Sequence, residues 1–186
     1  MLNKEAKQTL RKECLKKRSA LDETTHSKYD ARCHELLFQT EEYQKATSLL
    51  LYISYNHEVD TFQIIKQAMK DGKRVAAPKV IGQNMEFYYF NDIKELSKGA
   101  YGILEPQENG SCIEEYSLMI MPLVGFDEAC HRIGYGGGFY DRFLHTHTVS
   151  AKLALAYECQ KVSGDFLEEH DIAPDKIITE ERIYKK

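Results

Sequence analysis

The uncharged run Thr47 to Ile53 is short and apolar enough to be a buried strand, and a polar turn, Ser54-Tyr55-Asn56-His57-Glu58, follows it. The chain then changes to helical spacing. Asp60 or Thr61 can cap this helix, Ile64, Ile65, Ala68 and Met69 form its inner face, and Gly72 ends it before a second strand-like run, Arg74 to Val80. Two buried strands joined through a helix make a strand-helix-strand unit, and such units build parallel sheets. The unit commits the chain to the α/β class.

The flanking segments agree. Asn3 to about Arg18 predicts a helix with a capping Asn and one narrow apolar stripe, Ala6, Leu10 and Cys14, and a second helix is expected from about Asp22 to Phe38. Met85 to Phe90 reads as a strand, its Phe87-Tyr88-Tyr89-Phe90 packed on both sides, and Ser117 to Pro122 reads as a further buried one. The connection Gly99 to Tyr116 carries little regular pattern. Tyr140 to about His145 begins a helix, with His145-Thr146-His147 at its end rather than in a metal site. Lys152 to Tyr157 and Lys176 to Thr179 supply the last two strands, separated by the acidic stretch Gly164 to Asp175. No repeat or linker divides residues 1–186, so a single domain with an open, mainly parallel sheet flanked by helices is expected. Parallel sheets bind ligands beyond the carboxyl ends of their strands, where the turn at Glu58 and a glycine cluster after Pro122 both lie.

Composition excludes several function classes. Hydrophobic residues make up 42% of the 186, enough for a core, while the longest nearly uncharged apolar run, Leu118 to Phe126, is nine residues. A membrane span needs about 20. Lys4, Glu5 and Lys7 stand where a secretory signal would need its apolar centre, so a cytoplasmic protein is expected. Cysteines 14, 33, 112, 130 and 159 are odd in number and form no C-x-x-C pair, which reads as reduced thiols. Net charge is −4, yet the first 18 residues hold seven Lys/Arg against two Glu, and the other 168 hold eighteen against twenty-seven acidic residues. A nucleic-acid-binding arm is one reading of that basic segment, but no aromatic interleaving or second basic patch accompanies it.

The chemistry concentrates in Arg132-Ile133-Gly134-Tyr135-Gly136-Gly137-Gly138-Phe139-Tyr140-Asp141-Arg142. Four glycines in five positions free the backbone to turn successive N–H groups inward on phosphate oxygens, and a helix starting just after them adds its positive dipole end. Arg132 and Arg142 flank the glycines, and Asp141 can bind a magnesium ion bridging phosphates. Neither common phosphate signature fits. The only Gly-Lys pair, Gly72-Lys73, precedes Arg74 rather than Ser or Thr, and a G-x-G-x-x-G starting at Gly134 would need glycine at Phe139.

At this loop the sequence resembles the 5-formyltetrahydrofolate cyclo-ligase family, whose pattern runs from a Pro-x-x-x-Phe-Asp lead to Arg-aliphatic-Gly-x-Gly-x-Gly-aromatic-Tyr-Asp. Here it reads Pro122, Phe126-Asp127 and Arg132 to Asp141. Lys7-Gln8-Thr9-Leu10-Arg11, Glu58-Val59-Asp60-Thr61, Gly102-Ile103-Leu104-Glu105-Pro106, Gln160 and His170-Asp171-Ile172 agree in order and spacing, so the resemblance covers nearly the whole chain. Gly137 stands where some members carry a lysine, leaving phosphate charge to other cations or to the metal.

The resemblance implies an α/β fold similar to the sugar-phosphate isomerase and CoA-transferase-like group. It also implies a monomeric, cytoplasmic enzyme that uses ATP and Mg2+ to close 5-formyltetrahydrofolate into 5,10-methenyltetrahydrofolate, releasing ADP and phosphate. ATP would phosphorylate the formyl oxygen, and nitrogen 10 would then attack the activated carbon. By the same resemblance Lys7, Gln8, Thr9, Leu10 and Arg11, with Arg132, Ile133, Gly134, Tyr135, Gly136, Gly137, Gly138, Phe139 and Tyr140, bind ATP. Ile53, Glu58, Tyr135, Gly136, Gly137, Gly138 and Phe139 bind the folate, Asp141 and Asp171 the metal, and Arg132 and Tyr140 are the catalytic candidates. Glu105-Pro106 is expected to fix a turn. A noncatalytic folate- or nucleotide-binding protein is the alternative; no nucleic acid or membrane partner is expected.

Overall fold

A computed structural model describes residues 4–108, 117–163, 166 and 171–186. The expectations at Asn3, Cys112 and His170 lie outside them. In chain order the elements are α1 (Lys4–Ser19), α2 (Glu23–Phe38), α3 (Glu41–Lys45), β1 (Ser48–Leu51), α4 (Phe62–Lys70), β2 (Arg74–Ile81) and β3 (Asn84–Phe90). They continue with β4 (Ser97–Lys98), β5 (Leu104–Glu105), β6 (Ser117–Met121), β7 (Gly125–Phe126), β8 (Arg132–Ile133), α5 (Phe139–Thr146), β9 (Ala151–Leu155), β10 (Lys176–Ile178) and β11 (Ile183–Lys185).

The strand-helix-strand unit forms as its pattern requires. Every residue of β1 is buried, α4 presents Ile64, Ile65 and Ala68 inward, and β2 pairs parallel to β1 with Leu49 opposite Val75. The Asp60 carboxylate accepts from the Phe62 and Gln63 N–H groups at 3.1 and 3.2 Å and so caps α4, while Thr61 Oγ1 instead accepts from Ser54 N–H. Asp22 caps α2, accepting from Thr25 N–H at 2.9 Å.

The seven strands of the main sheet run in the order β11-β10-β9-β6-β1-β2-β3. From β10 to β2 neighbours are parallel, and the two edge strands pair antiparallel. The chain moves outward from β1 to β3 and returns on the other side of β1 as β6, which makes the β1/β6 boundary the switch point where α/β sheets open a crevice. One face packs on α2 and α4 through Cys33, Leu37, Ile64 and Ile65, the other on α5 through Phe143. Each such fully buried aliphatic or aromatic side chain stabilises the fold by roughly 1.5–3 kcal/mol.

Several expectations are corrected. Lys176–Ile178 is not the last strand, because β11 adds an antiparallel edge. The Gly99 to Tyr116 connection contains β5, paired with β4, and a turn at Ala100–Gly102. The five-residue α3 and the β7/β8 ribbon are too short to leave a periodic signal. On α1 the buried positions are Lys7, Cys14 and Arg18, with Ala6 and Leu10 only half-buried, so the inner stripe carries cations rather than aliphatic residues. That stripe packs beside the Glu158–Gln160 turn, where the Cys14 thiol points to Gln160 O at 3.5 Å.

Candidate active site

The β1/β6 switch point opens into a cavity of about 1340 Å³. Pockets for one small ligand usually hold roughly 300–1,000 Å³, so this one has room for two. Tyr52 and Ile53 enter it from the end of β1, and Pro122 from the end of β6. A second wall comes from the β2/β3 hairpin. β1 pairs with β2 only through Ala76, so β2 continues beyond the sheet with β3 alone, and there Pro78, which has no N–H to donate, is tolerated. The overhang brings Pro78, Val80 and Met85 to the cavity, and the Ala100–Gly102 turn adds Tyr101.

At one end stands Glu58. Its carboxylate accepts from the Tyr135 hydroxyl at 2.6 Å and from Tyr55 N–H at 2.9 Å. Burial pushes its carboxyl above the usual range, opposed by those two hydrogen bonds and by the Arg18 charge. Glu58 follows Asn56 and His57, whose φ angles of 48° and 60° are uncommon for residues with side chains. Arg18 anchors this turn, donating to Asn56 O at 2.7 Å and to the Tyr135 hydroxyl at 2.8 Å.

The glycine loop starts beside this end, with Tyr135 on the Glu58 carboxylate, and runs to the N-terminus of α5. Gly136 has φ 97° and Gly138 φ 65°, the left-handed region that glycine occupies at no steric cost. Gly138 holds the N-cap position of α5 without a side-chain cap, which leaves first-turn N–H groups of that helix to an anion. Arg11 donates to Gly134 O at 2.8 Å, placing a guanidinium against the loop. Lys7, 6% exposed, pairs with Asp171 at 2.9 Å. Arg132, 7% exposed, donates to Asp141 Oδ1 at 2.5 Å and to Ile172 O at 3.1 Å, and Ile172 N–H returns a bond to Asp141 Oδ1 at 3.0 Å. Three cations and two carboxylates thus gather around the loop.

Tyr140 lines the cavity where it feels the charges of both Glu58 and Arg132. Its hydroxyl is buried and has no hydrogen-bond partner among the described residues. Burial raises its pKa, the Glu58 charge raises it further and the Arg132 charge opposes them, so the hydroxyl stays protonated and keeps its hydrogen to donate.

Asp141 and Asp171 line the same cavity with side chains 17% exposed each. Both bonds to Asp141 named above fall on Oδ1. An all-oxygen pair of carboxylates beside a glycine loop and a helix N-terminus is the donor set magnesium takes, with phosphate and water able to complete its shell. The residues fit the ion.

Not every expected residue reaches the cavity. Among the described residues none of α1 lines it: Lys7 and Arg11 act on its wall only through Asp171 and Gly134 O, while Gln8 and Thr9 lie on the exposed face of α1, where Thr9 Oγ1 donates to Glu5 O, because a helix turns 100° per residue. Leu10 is half-buried beside them, and Ile133 is fully buried in the β7/β8 ribbon. Ile53, Glu58 and the Gly134–Phe139 segment are brought together as expected. Glu105 is buried, and its Oε1 accepts from Ala100 N–H at 3.1 Å and Val80 N–H at 3.3 Å, which ties the turn to β2. His145 closes α5, its Nδ1 2.6 Å from Asp141 O. Arg18 went unmarked in the sequence although it lies eleven residues after Lys7, which is the same helical phase.

Comparison with known proteins bears on the family and the fold. The sequence profile described as the 5-formyltetrahydrofolate cyclo-ligase family matches residues 3–180. The chain is 31% identical over 148 residues to 5-formyltetrahydrofolate cyclo-ligase of Escherichia coli strain K12, covering 75% of this chain and 81% of that one. An NMR structure of 5,10-methenyltetrahydrofolate synthetase from Aquifex aeolicus superposes with TM-score 0.85 at 30% identity, over 96% of this chain and 92% of that one. A 5,10-methenyltetrahydrofolate synthetase from Mycoplasma pneumoniae superposes with TM-score 0.73 at 27% identity, over 94% and 98%. A profile match over nearly the whole length, on the same fold, means that the chain belongs to the 5-formyltetrahydrofolate cyclo-ligase family.

Proposed function

We propose that this cavity performs the family's reaction, the ATP-dependent conversion of 5-formyltetrahydrofolate to 5,10-methenyltetrahydrofolate, with folate at the Glu58 end and the nucleotide at the glycine loop. The chain is an ATP-dependent ligase of folate one-carbon metabolism. The observation that carries the reading is that one cavity brings together the Glu58 carboxylate, a glycine loop flanked by Arg132 and Arg142, and the Tyr140 hydroxyl, which has no partner among the described residues.

A formyl oxygen on nitrogen 5 is a poor leaving group until it is phosphorylated. The oxygen attacks the γ-phosphorus, the O–P bond forms as the bond to the β-phosphate oxygen breaks, and ADP leaves. Nitrogen 10 then attacks the activated carbon and loses its proton, and departure of phosphate leaves the methenyl bridge. The protein's part is placement and charge. Glu58 accepts pterin N–H groups, and Ile53 and Tyr135 wall the ring. Loop N–H groups and Arg11 hold the phosphates, and Arg132 balances the charge that develops on transfer. Tyr140, kept protonated by burial, donates to the oxygen that changes partners. Asp141 and Asp171 would hold magnesium, which supplies charge neutralisation across the phosphates.

Residues 1–186 act as one cyclo-ligase domain, supported by a single main sheet and a family match from 3 to 180. A cytoplasmic setting suits Cys14, Cys33, Cys130 and Cys159, four free thiols whose ionisation burial suppresses. The test is stoichiometry. ADP and methenyl product, the latter followed by absorbance, should appear in equal amounts with no formate. Methenyl product formed without ATP would overturn the mechanism.

A further inference from the structure

We propose that Arg18 is a positioning residue for folate recognition, acting on the Glu58 carboxylate through the Tyr135 hydroxyl. The proposal rests on Glu58 as the acceptor for the pterin. Arg18 is 1% exposed and does not line the cavity. Among the described residues its guanidinium has two acceptors, Asn56 O at 2.7 Å and the Tyr135 hydroxyl at 2.8 Å, and Nη1 has none. Both acceptors belong to segments that form the cavity wall. A buried charge is costly unless another group answers it, and no carboxylate among the described residues lies within ion-pair distance of this one. Its charge is met at one remove, by Glu58 across a hydroxyl.

That hydroxyl has a fixed polarity. A guanidinium can only donate, so the Tyr135 oxygen receives from Arg18 and must spend its own hydrogen on Glu58 Oε1, at 2.6 Å. Tyr55 N–H holds Oε2 at 2.9 Å. With both oxygens anchored, the carboxylate presents its remaining lone pairs in one orientation, which is what two-point recognition of a flat heterocycle requires. Arg18 also ties down Asn56, whose φ of 48° the turn must hold for Glu58 to face the cavity. Without Arg18, the Tyr135 hydroxyl is free to rotate away and the turn to relax.

The experiment is a double-mutant cycle with both substrate KM values. Arg18→Met and Tyr135→Phe should each raise the KM for 5-formyltetrahydrofolate about tenfold and leave that for ATP within about twofold. The double variant should be no worse than the poorer single, because both remove one relay, and Arg18→Lys, which keeps a donor, should recover part of the loss. Effects that multiply in the double variant, or an equal rise in both KM values, would overturn the proposal and assign Arg18 to the packing of α1. Glu58→Ala, measured alongside, separates the two levels. An unchanged folate KM there removes the reading on which the proposal rests, whereas a raised one with unaltered Arg18 and Tyr135 variants removes the relay alone. Should Arg18→Met not fold, Tyr135→Phe decides, since Tyr135 is 48% exposed and loses only its hydroxyl; an unchanged folate KM overturns the relay.

Discussion

At Gly138 two constraints coincide. Its φ of 65° strains any side chain, and a Cβ there would meet Arg142 Nη1 at 2.7 Å. At Gly136 the φ of 97° is the constraint, since the nearest atom to a Cβ, in the Arg11 guanidinium, would be 3.7 Å away. A β-branched residue in left-handed backbone costs about 1–2 kcal/mol or more, so Gly136→Val and Gly138→Val should lower the melting temperature by only several degrees. They should nevertheless reduce ATP affinity about tenfold or more in calorimetry, because the side chain stands where phosphate oxygens approach the N–H groups. Unchanged affinity in a folded variant would take the loop out of the nucleotide site. Glu58 offers a pH signature. Burial raises its carboxyl, so on acidification the folded protein protonates it earlier than an ordinary glutamate. Its neighbours are the Tyr135 hydroxyl, the Tyr55 N–H and Arg18, with Tyr52 and Tyr140 close enough to feel its charge. The folate KM should therefore start to rise as pH falls at a value above the usual carboxylate range, while the ATP KM stays flat. A folate KM that is level until the ordinary glutamate range would contradict a buried, ionised acceptor.

At the scale of elements, α1 is unusual in what it buries. Lys7 reaches Asp171, 164 positions away, Arg11 reaches Gly134 O, and Arg18 reaches Tyr135, so one helical stripe holds three residues of the cavity wall from behind. Reversing charge at its nucleotide end, Lys7→Glu with Arg11→Glu, should raise the ATP KM at least about tenfold and the folate KM far less. Part of that loss comes from a new glutamate facing Asp171 where an ion pair stood. Glu58→Ala should show the opposite split. Steady-state kinetics with each substrate varied in turn checks both, and equal effects on both substrates would dissolve the assignment of the two ends while leaving the family membership intact.

For the molecule as a whole, the large apolar side chains that remain exposed are few. Among the described residues they are Tyr55, Ile81, Tyr101 and Tyr135, and three of the four line the cavity. Ile81, at the tip of the β2/β3 hairpin, stands apart from them. Stable dimers generally bury a contiguous apolar surface, and a single isoleucine does not make one. Sedimentation equilibrium should return a mass near 21.5 kDa at micromolar concentration, with or without ATP. A dimer mass would mean that the cavity mouth itself is an interface.

Local pattern determined much of this protein. The alternation of buried runs with helical spacing led to a mainly parallel sheet, because burial on both faces leaves a strand uniformly apolar whatever its neighbours are. The four glycines announced a loop with left-handed backbone, found at Gly136 and Gly138, since their conformational freedom is a property of the residue itself. Tertiary structure decided the rest. No periodicity distinguishes the cations of α1 that face water from those that meet polar groups of other segments, as Lys and Arg read as solvated until the element they pack against is known. The apolar stripe expected on that helix held only at Cys14 for this reason. Short elements, the edge strand β11 and the β4/β5 and β7/β8 ribbons, form because a partner strand supplies their hydrogen bonds, and a partner leaves no trace in local spacing. The link from Arg18 through Tyr135 to Glu58 joins residues 117 and 77 positions apart, and only the closing of the sheet at β1 and β6 brings them within reach of one hydroxyl.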